Sequence, residues 1–305
     1  MDKIRIYLGI LILVCLALGI FAMAESEPWN PLETLTELEL QMIGVPGDGS
    51  LVERLDKLEE IIVGRVHEGA LGERLTRLNN TLYVNQPYDL CLLYKIQALE
   101  WVLTREESGE PIKIRLENLE QKVFGLVFSG PINKRLEKLI SQIFPEGVIK
   151  GKWISIPSGL LIKVRIMDEL SSGKNRTGDR FRFMVKETVM DGNRVLFPKG
   201  VIGKGVLQEV THPANLGRDA QLMLNFAEIR AIDATPVQLI YGSKAMKMDR
   251  SRQWAVGAST AGMVAFGPWG ILLGLAVKGK ETTIPVGTQF YLQVKEPTRI
   301  YSLAE

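Results

Sequence analysis

From Asn30 to Gly147 the apolar positions of the chain return about every 20 residues. Leu35, Leu55, Leu75, Ile96, Leu116 and Leu136 stand 20 or 21 apart, and three residues after each come Leu38, Leu58, Leu78, Leu99, Leu119 and Leu139. A third rung, Met42, Ile62, Leu82, Leu103, Val123 and Ile143, follows four further on. Within one unit, LVERLDKLEEIIVG from Leu51 to Gly64, apolar residues fall at i, i+4, i+7 and i+11, with Arg54, Asp56, Lys57 and Glu59 between them. That is one apolar stripe on a three-turn helix. Ser50 with Glu53 has the capping-box spacing, Asn30 precedes Pro31 with Glu33 in the first turn, and Pro111 and Pro131 suit first-turn positions. Gly44, Gly64 and Gly125 stand where a C-cap glycine belongs. Helices this short are marginal alone, so each must bury its stripe on its neighbours, and loops of about seven residues favour antiparallel succession. The pattern predicts six short helices in a stack or bundle over residues 25–147. A continuous coiled coil is the alternative, and turn signals such as Pro46-Gly47-Asp48-Gly49, Asn85-Gln86-Pro87 and Ser108-Gly109-Glu110-Pro111 oppose it.

After Pro145-Glu146-Gly147 the period changes to two, as in Leu161-Ile162-Lys163-Val164-Arg165-Ile166 and Arg180-Phe181-Arg182-Phe183-Met184-Val185. Such alternation reads as half-buried strands. Further strands are predicted over 194–197, 201–210, 221–226, 237–241 and 289–294, giving an antiparallel barrel or sandwich over 148–297 and a short tail over 298–305. The chain is thus an α+β multidomain protein, a short-helix repeat stack followed by an all-β domain. Three strands are preceded by one kind of turn: Ile156-Pro157-Ser158-Gly159, Phe197-Pro198-Lys199-Gly200 and Ile284-Pro285-Val286-Gly287. Proline sets one corner of such a turn and glycine permits positive φ at another.

The order of these turns, with LSSGKNRTGDRFRF between the first two, resembles a β-module of bacterial envelope proteins. It is distantly similar to the C-terminal barrel of TrbI-type conjugation channel proteins. IPSGLLIKVRI at 156–166, Leu170-Ser171-Ser172 with Gly178-Asp179, FPKGVIGKGVLQEV at 197–210 and IPVGTQFYLQV at 284–294 carry the likeness. The repeats take no part in it, and the long proline-rich linker of those proteins has no counterpart. The resemblance implies an antiparallel barrel at the periplasm or outer membrane, acting in assembly rather than chemistry.

Between Arg252 and Lys278 run 25 residues without a charge, QWAVGASTAGMVAFGPWGILLGLAV. The length reaches the membrane-spanning range, and glycines at 257, 262, 267, 270 and 274 permit close packing. Gly267-Pro268 near the middle invites a break into two short helices. Three readings stand: a glycine-rich apolar helical hairpin that enters a membrane or lines an oligomer interface, a core hairpin covering the barrel, and a full transmembrane helix. Trp254, Gly257, Gly262, Gly267, Trp269, Gly270 and Gly274 are the candidate membrane or interface contacts.

Composition and charge narrow the function. Of 305 residues, 46% are hydrophobic and 24% charged, and the net charge is +2 without a basic stripe, which argues against nucleic acid as a partner. Lys3 and Arg5, an uncharged run from Ile6 to Phe21 and Ala22-Met23-Ala24 read as a secretory signal over 1–24, with Ala22 and Ala24 forming an A-x-A site cleaved before Glu25 and a retained anchor as the alternative. Export then predicts a periplasmic, outer-membrane or cell-surface location. Cleavage removes Cys15 and leaves Cys91 in an apolar stretch as a buried thiol. His67 and His212 stand in different domains without neighbouring ligands, Gly203-Lys204-Gly205 lacks the spacing of a phosphate loop, and Asp168 and Glu169 diverge at a strand end. No enzyme, metal or cofactor is expected. Arg54, Arg74, Lys95, Arg115 and Arg135 each precede a core position, so a basic row could meet a cell-wall polymer, unless the side chains cover the core and pair with acids such as Glu53, Glu73 and Glu117. The expected function is a non-enzymatic exported envelope protein, its repeats for association with envelope proteins or itself and its β-domain for docking to a complex or membrane; a peptidoglycan or polysaccharide binder is the alternative.

Overall fold

A computed structural model describes residues 30–86, 89–212, 220–256, 263–266, 270–273 and 282–303, and within 250–273 it describes the backbone alone. Among the described residues six helices come first: α1 (Pro31–Ile43), α2 (Leu51–Val63), α3 (Leu71–Tyr83), α4 (Leu92–Thr104), α5 (Ile112–Phe124) and α6 (Ile132–Ile143). Local chemistry sets their ends. The Asn30 side chain accepts from the Leu32 and Glu33 N–H groups, Ser50 and Glu53 form the reciprocal capping box, and Gly44, Gly64 and Gly125 close their helices in the left-handed region. Pro111 and Pro131 sit one residue before the expected position, as N-cap residues.

All six copies of the first two rungs are buried. The ends of the stripes differ by tier: Met42, Ile62 and Leu82 of α1 to α3 are buried, whereas Leu103, Val123 and Ile143 of α4 to α6 are only partly so. At the opposite end Leu92, Ile112 and Ile132 are buried and Leu51 and Leu71 only partly. The cause is a stagger. Besides meeting its sequence neighbours, α1 packs on α5 and α2 on α6, so the C-termini of the first tier cover the N-termini of the second. A Cβ at Gly44 would stand 2.7 Å from Pro111 Cγ, and one at Gly64 would stand 2.5 Å from Pro131 Cγ. Glycine there serves both the cap and the contact between tiers.

A 3-10 turn at Pro145–Gly147 leads into the β-domain. Strands β2 (Leu161–Ile166), β4 (Arg180–Val185), β7 (Ile202–Thr211), β8 (Gln221–Arg230), β9 (Pro236–Ile240) and β13 (Gln289–Val294) pair in the order β8-β7-β4-β2-β13-β9, and β9 returns to β8. That closes a six-stranded antiparallel barrel, which has no free edge along its girth. Two-stranded ribbons flank it: β1 (Gly151–Ile156) with β14 (Thr298–Leu303), β3 (Leu170–Ser171) with β12 (Thr283–Ile284), and β5 (Val189–Asp191) with β6 (Arg194–Phe197). The stretch expected to be a tail is therefore strand β14. Phe226 centres the barrel core, edge-on to Phe181, Phe183 and Phe290 at 5.3, 5.2 and 5.0 Å between ring centroids. Gly205 and Gly203 face Phe181 and Phe183 across the β4–β7 pair, where a Cβ would stand 2.3 and 2.2 Å from the ring tips.

The apolar insertion departs from the expected helical hairpin. Helix α7 (Ser243–Val256) runs into its start, and the described remainder is a β-hairpin, β10 (Met263–Phe266) paired with β11 (Gly270–Leu273). Strand β11 then pairs with Leu222–Leu224 of β8. The physical reason is an available edge: β8 meets β9 only at Glu228–Arg230, leaving its first half free on that side, and a glycine-rich run that is a poor helix former gains ladder hydrogen bonds there.

Candidate functional site

A polar ladder runs through the helical array. Arg54 donates through Nε and a guanidine N to Glu39 at 3.0 and 2.6 Å, Arg74 to Glu59 at 3.2 and 2.8 Å, Arg115 to Glu100 at 3.0 and 2.6 Å, and Arg135 to Glu120 at 2.9 and 2.6 Å. Each pair spans 15 residues and joins a helix to the one before it. In three of the four the carboxylate also accepts a loop N–H eight residues on, from Gly47, His67 and Phe128. The side chains are buried, so the bidentate geometry offsets the loss of water. For Glu39 burial pushes the carboxyl up, but the Arg54 hydrogen bonds, the Gly47 N–H and the Arg54 charge together hold it below its ordinary value. Glu59 is held down in the same way by Arg74 and the His67 N–H.

The arginines considered as a basic row for a polymer thus turn inward: Arg54, Arg74, Arg115 and Arg135 are buried. Their partners are Glu39, Glu59, Glu100 and Glu120, one helix back, and not Glu53, Glu73 or Glu117. Glu53 caps its own helix. Lys95, the fifth member, pairs with exposed Asp89 at 2.8 Å. Between α3 and α4 the ladder is interrupted because Asn79 and Lys95 occupy the two positions. The 15-residue spacing was present in the sequence, but acids nearer along the chain masked those a helix away.

Three contacts clamp the array to the β-domain. On α1, Glu33 and Glu37 meet Arg180 at 2.6 and 3.0 Å, and Glu37 meets Lys204 at 3.3 Å. The α4–α5 loop supplies the second: the Glu107 N–H donates to the Lys199 carbonyl at 2.8 Å, Lys199 Nζ pairs with Glu106 at 2.6 Å, and a Cβ on Gly200 would stand 1.9 Å from the Glu107 carbonyl oxygen. Beneath it Arg115 Nη1 lies 3.2 Å from Glu107, whose other oxygen accepts from Gln97. Burial, with the Glu100 charge adding to it, pushes the Glu107 carboxyl up against the opposing Arg115 charge and Gln97 hydrogen bond. At the third contact Asn85 accepts the Cys91 N–H and donates to the Asp233 carbonyl at 2.6 Å, Arg230 stacks on Tyr83 at 4.0 Å, and Tyr94 meets Tyr301 edge-on. Asp233 in turn accepts from Tyr301 N–H at 2.7 Å and from Thr235, which ties β14 to the same joint. Cys91 is buried here, its thiol pushed up to about 11 by burial. Asn85, Glu107 and Asp233 carried no sequence signal, because their partners lie in other elements or the other domain.

Ala22 and Ala24 of the cleavage site lie outside the described residues, as do Gly257, Gly262, Gly267, Trp269 and Gly274. Trp254 falls on α7 and Gly270 opens β11. Among the described residues no helix is long and apolar enough to cross a membrane, and no group of three or more His, Cys, Asp or Glu side chains is placed to hold a metal. His67 leans on Glu59, with Nδ1 3.5 Å from Oε1, while Lys204 stands on strand β7 between the two glycines that admit the phenylalanine rings.

No family model matches the chain and no curated protein matches it. Among solved structures, ComB10 of the Com type IV secretion system of Helicobacter pylori is similar over 50% of this chain and 96% of that chain, at 15% identity and a TM-score of 0.28. A likeness of that size brings no residue and no role to this chain.

Proposed function

We propose that this protein is a non-enzymatic, exported structural component of a bacterial envelope assembly, its helical repeats serving association and its β-domain docking to an envelope complex or a membrane. The observation that carries the reading is the β10–β11 hairpin. It comes from the uncharged run after Arg252 and continues the sheet on the ends of β7 and β8 that extend past the barrel closure. A glycine-rich apolar sheet extension suits insertion among lipid tails or against an apolar partner. The N-terminal sequence pattern supports export, and the clamped two-unit body suits a scaffold, since its buried charges are spent within the fold.

The test is fractionation of the expressed chain with mass spectrometry of its N-terminus, beside a variant in which residues 257–281 are replaced by a glycine-serine linker. Expected are a start at Glu25, recovery with the envelope, and release of the variant into the soluble periplasmic fraction. A chain retained in the cytoplasm refutes export. A variant that stays with the envelope refutes docking through the hairpin. Retention of the intact chain on isolated peptidoglycan, undiminished by loss of the hairpin, would favour a cell-wall polymer binder instead.

A further inference from the structure

Three turns of the β-domain share one backbone. In Pro157-Ser158-Gly159, Pro198-Lys199-Gly200 and Pro285-Val286-Gly287 the glycine φ is 77°, 99° and 89°. Its N–H donates to a strand carbonyl, of Val294, Val185 and Ile166 respectively, and the proline carbonyl accepts from Leu160, Val201 and Thr288. Their surroundings differ. Gly159 is covered by the Lys244 side chain, and the Lys199 turn is seated on the α4–α5 loop. The third turn is bare among the described residues: Val286 is 61% exposed and a Cβ on Gly287 would meet none of them within 4 Å.

The receiving loop is repeated as well. Twenty residues after Glu106 and Glu107, the α5–α6 loop places Leu126 and Val127, each 48% exposed. The Val127 N–H makes no hydrogen bond among the described residues, whereas the Glu107 N–H holds the Lys199 carbonyl. At the α1–α2 loop the corresponding residue is Pro46, which has no N–H to give, and at the α2–α3 loop Arg65 stands in the Leu126 position. The chemistry of the two bare pieces changes together. Where the occupied joint sets Lys199 against Glu106, the bare turn and bare loop set Val286 against Leu126, apolar on both sides.

We infer that the Pro285–Gly287 turn of one copy docks on the Leu126–Val127 loop of a second copy, repeating between molecules the joint that Lys199–Gly200 makes within one. This rests on the proposed role of the repeats in association and names their partner as the chain itself. Turn and loop are different surfaces, so the contact is head-to-tail and propagates into a ring or a filament. A single turn on a single loop is small, so association in free solution is weak and grows when copies are concentrated in an assembly.

Sedimentation velocity over a concentration series on the processed full chain tests the contact. Val286→Lys and Leu126→Glu change exposed side chains and leave the fold intact, which circular dichroism checks. Each alone weakens self-association by about tenfold or more, because it sets a charge against an apolar partner. Mixing the two variants restores pairing, since the intact Val286 turn of the Leu126→Glu chain meets the intact Leu126 loop of the Val286→Lys chain, as a head-to-tail contact requires. A chain that is monomeric throughout, variants that associate like the parent, or a mixture that stays dissociated each overturns the inference. A monomeric chain still recovered with the envelope overturns only the contact; a chain kept in the cytoplasm overturns the proposed role whatever its state of association.

Discussion

Removing the Glu120 carboxylate tests whether the ladder holds the array together. Glu120 is fully buried, receives Arg135 at 2.9 and 2.6 Å, and takes the Phe128 N–H at 3.2 Å. Glu120→Ala strands a guanidinium that is only 7% exposed and frees a loop N–H. Breaking a buried pair from one side costs about 3–5 kcal/mol, and the lost loop hydrogen bond falls within that range. Replacing both partners, Glu120→Leu with Arg135→Met, removes the stranded charge and is expected to be neutral or stabilising by up to about 4 kcal/mol. Urea unfolding followed by far-UV circular dichroism, read on the helical transition, measures all corners of the cycle. A loss under about 1 kcal/mol for Glu120→Ala, the size of an exposed pair, would refute a structural ladder. So would a double variant as unstable as the single one.

Other consequences follow from the same geometry. Glu39 and Glu59 have folded-state values below their unfolded ones, so the stability they contribute is present above the unfolded carboxyl pKa of about 4.3 and is lost as pH falls through the folded values. The helical transition should therefore weaken below about pH 4, less steeply in Glu39→Gln than in the parent; equal slopes would contradict the assignment. Glu107 carries the opposite sign, because its raised value means that ionisation opposes folding near neutrality, so Glu107→Gln should not destabilise at pH 7 and should flatten the stability gained on acidification. Phe226→Ala leaves a hole among three rings and should cost about 3–5 kcal/mol in the β-domain transition. Gly200→Ala places a Cβ against the Glu107 carbonyl at positive φ, and faster proteolysis between the two units should report the loosened joint; unchanged proteolysis would mean that the other two contacts suffice.

The arginine ladder was half legible along the chain. A 20-residue period in leucine and a 20-residue period in arginine were both legible, since each follows from one helix per unit. The partner of each arginine was not, because proximity along the chain favoured Glu53 over Glu39 while the fold of the hairpin favours the residue one helix back. In the apolar insertion, uncharged length and glycine spacing pointed to helices. An edge on β8, created only when β7 and β8 outrun the barrel closure, made strands the better outcome. Likewise the Pro-x-Gly turns were recognised by their residues, while the seating of one of them on a helical loop depends on where the barrel sits.

By itself the sequence determined the six short helices with the caps at Asn30, Ser50, Gly44, Gly64 and Gly125, the change of period after Gly147 and the alternating strands of a β-domain, because these depend on periodicity and turn chemistry within a few residues. Tertiary structure alone decided the stagger of the two tiers, the inward turn of the arginines, the closure of the barrel and the three joints between units. Those features depend on which surfaces meet across tens or hundreds of residues, where burial and hydrogen-bond satisfaction select among partners that local pattern leaves equivalent.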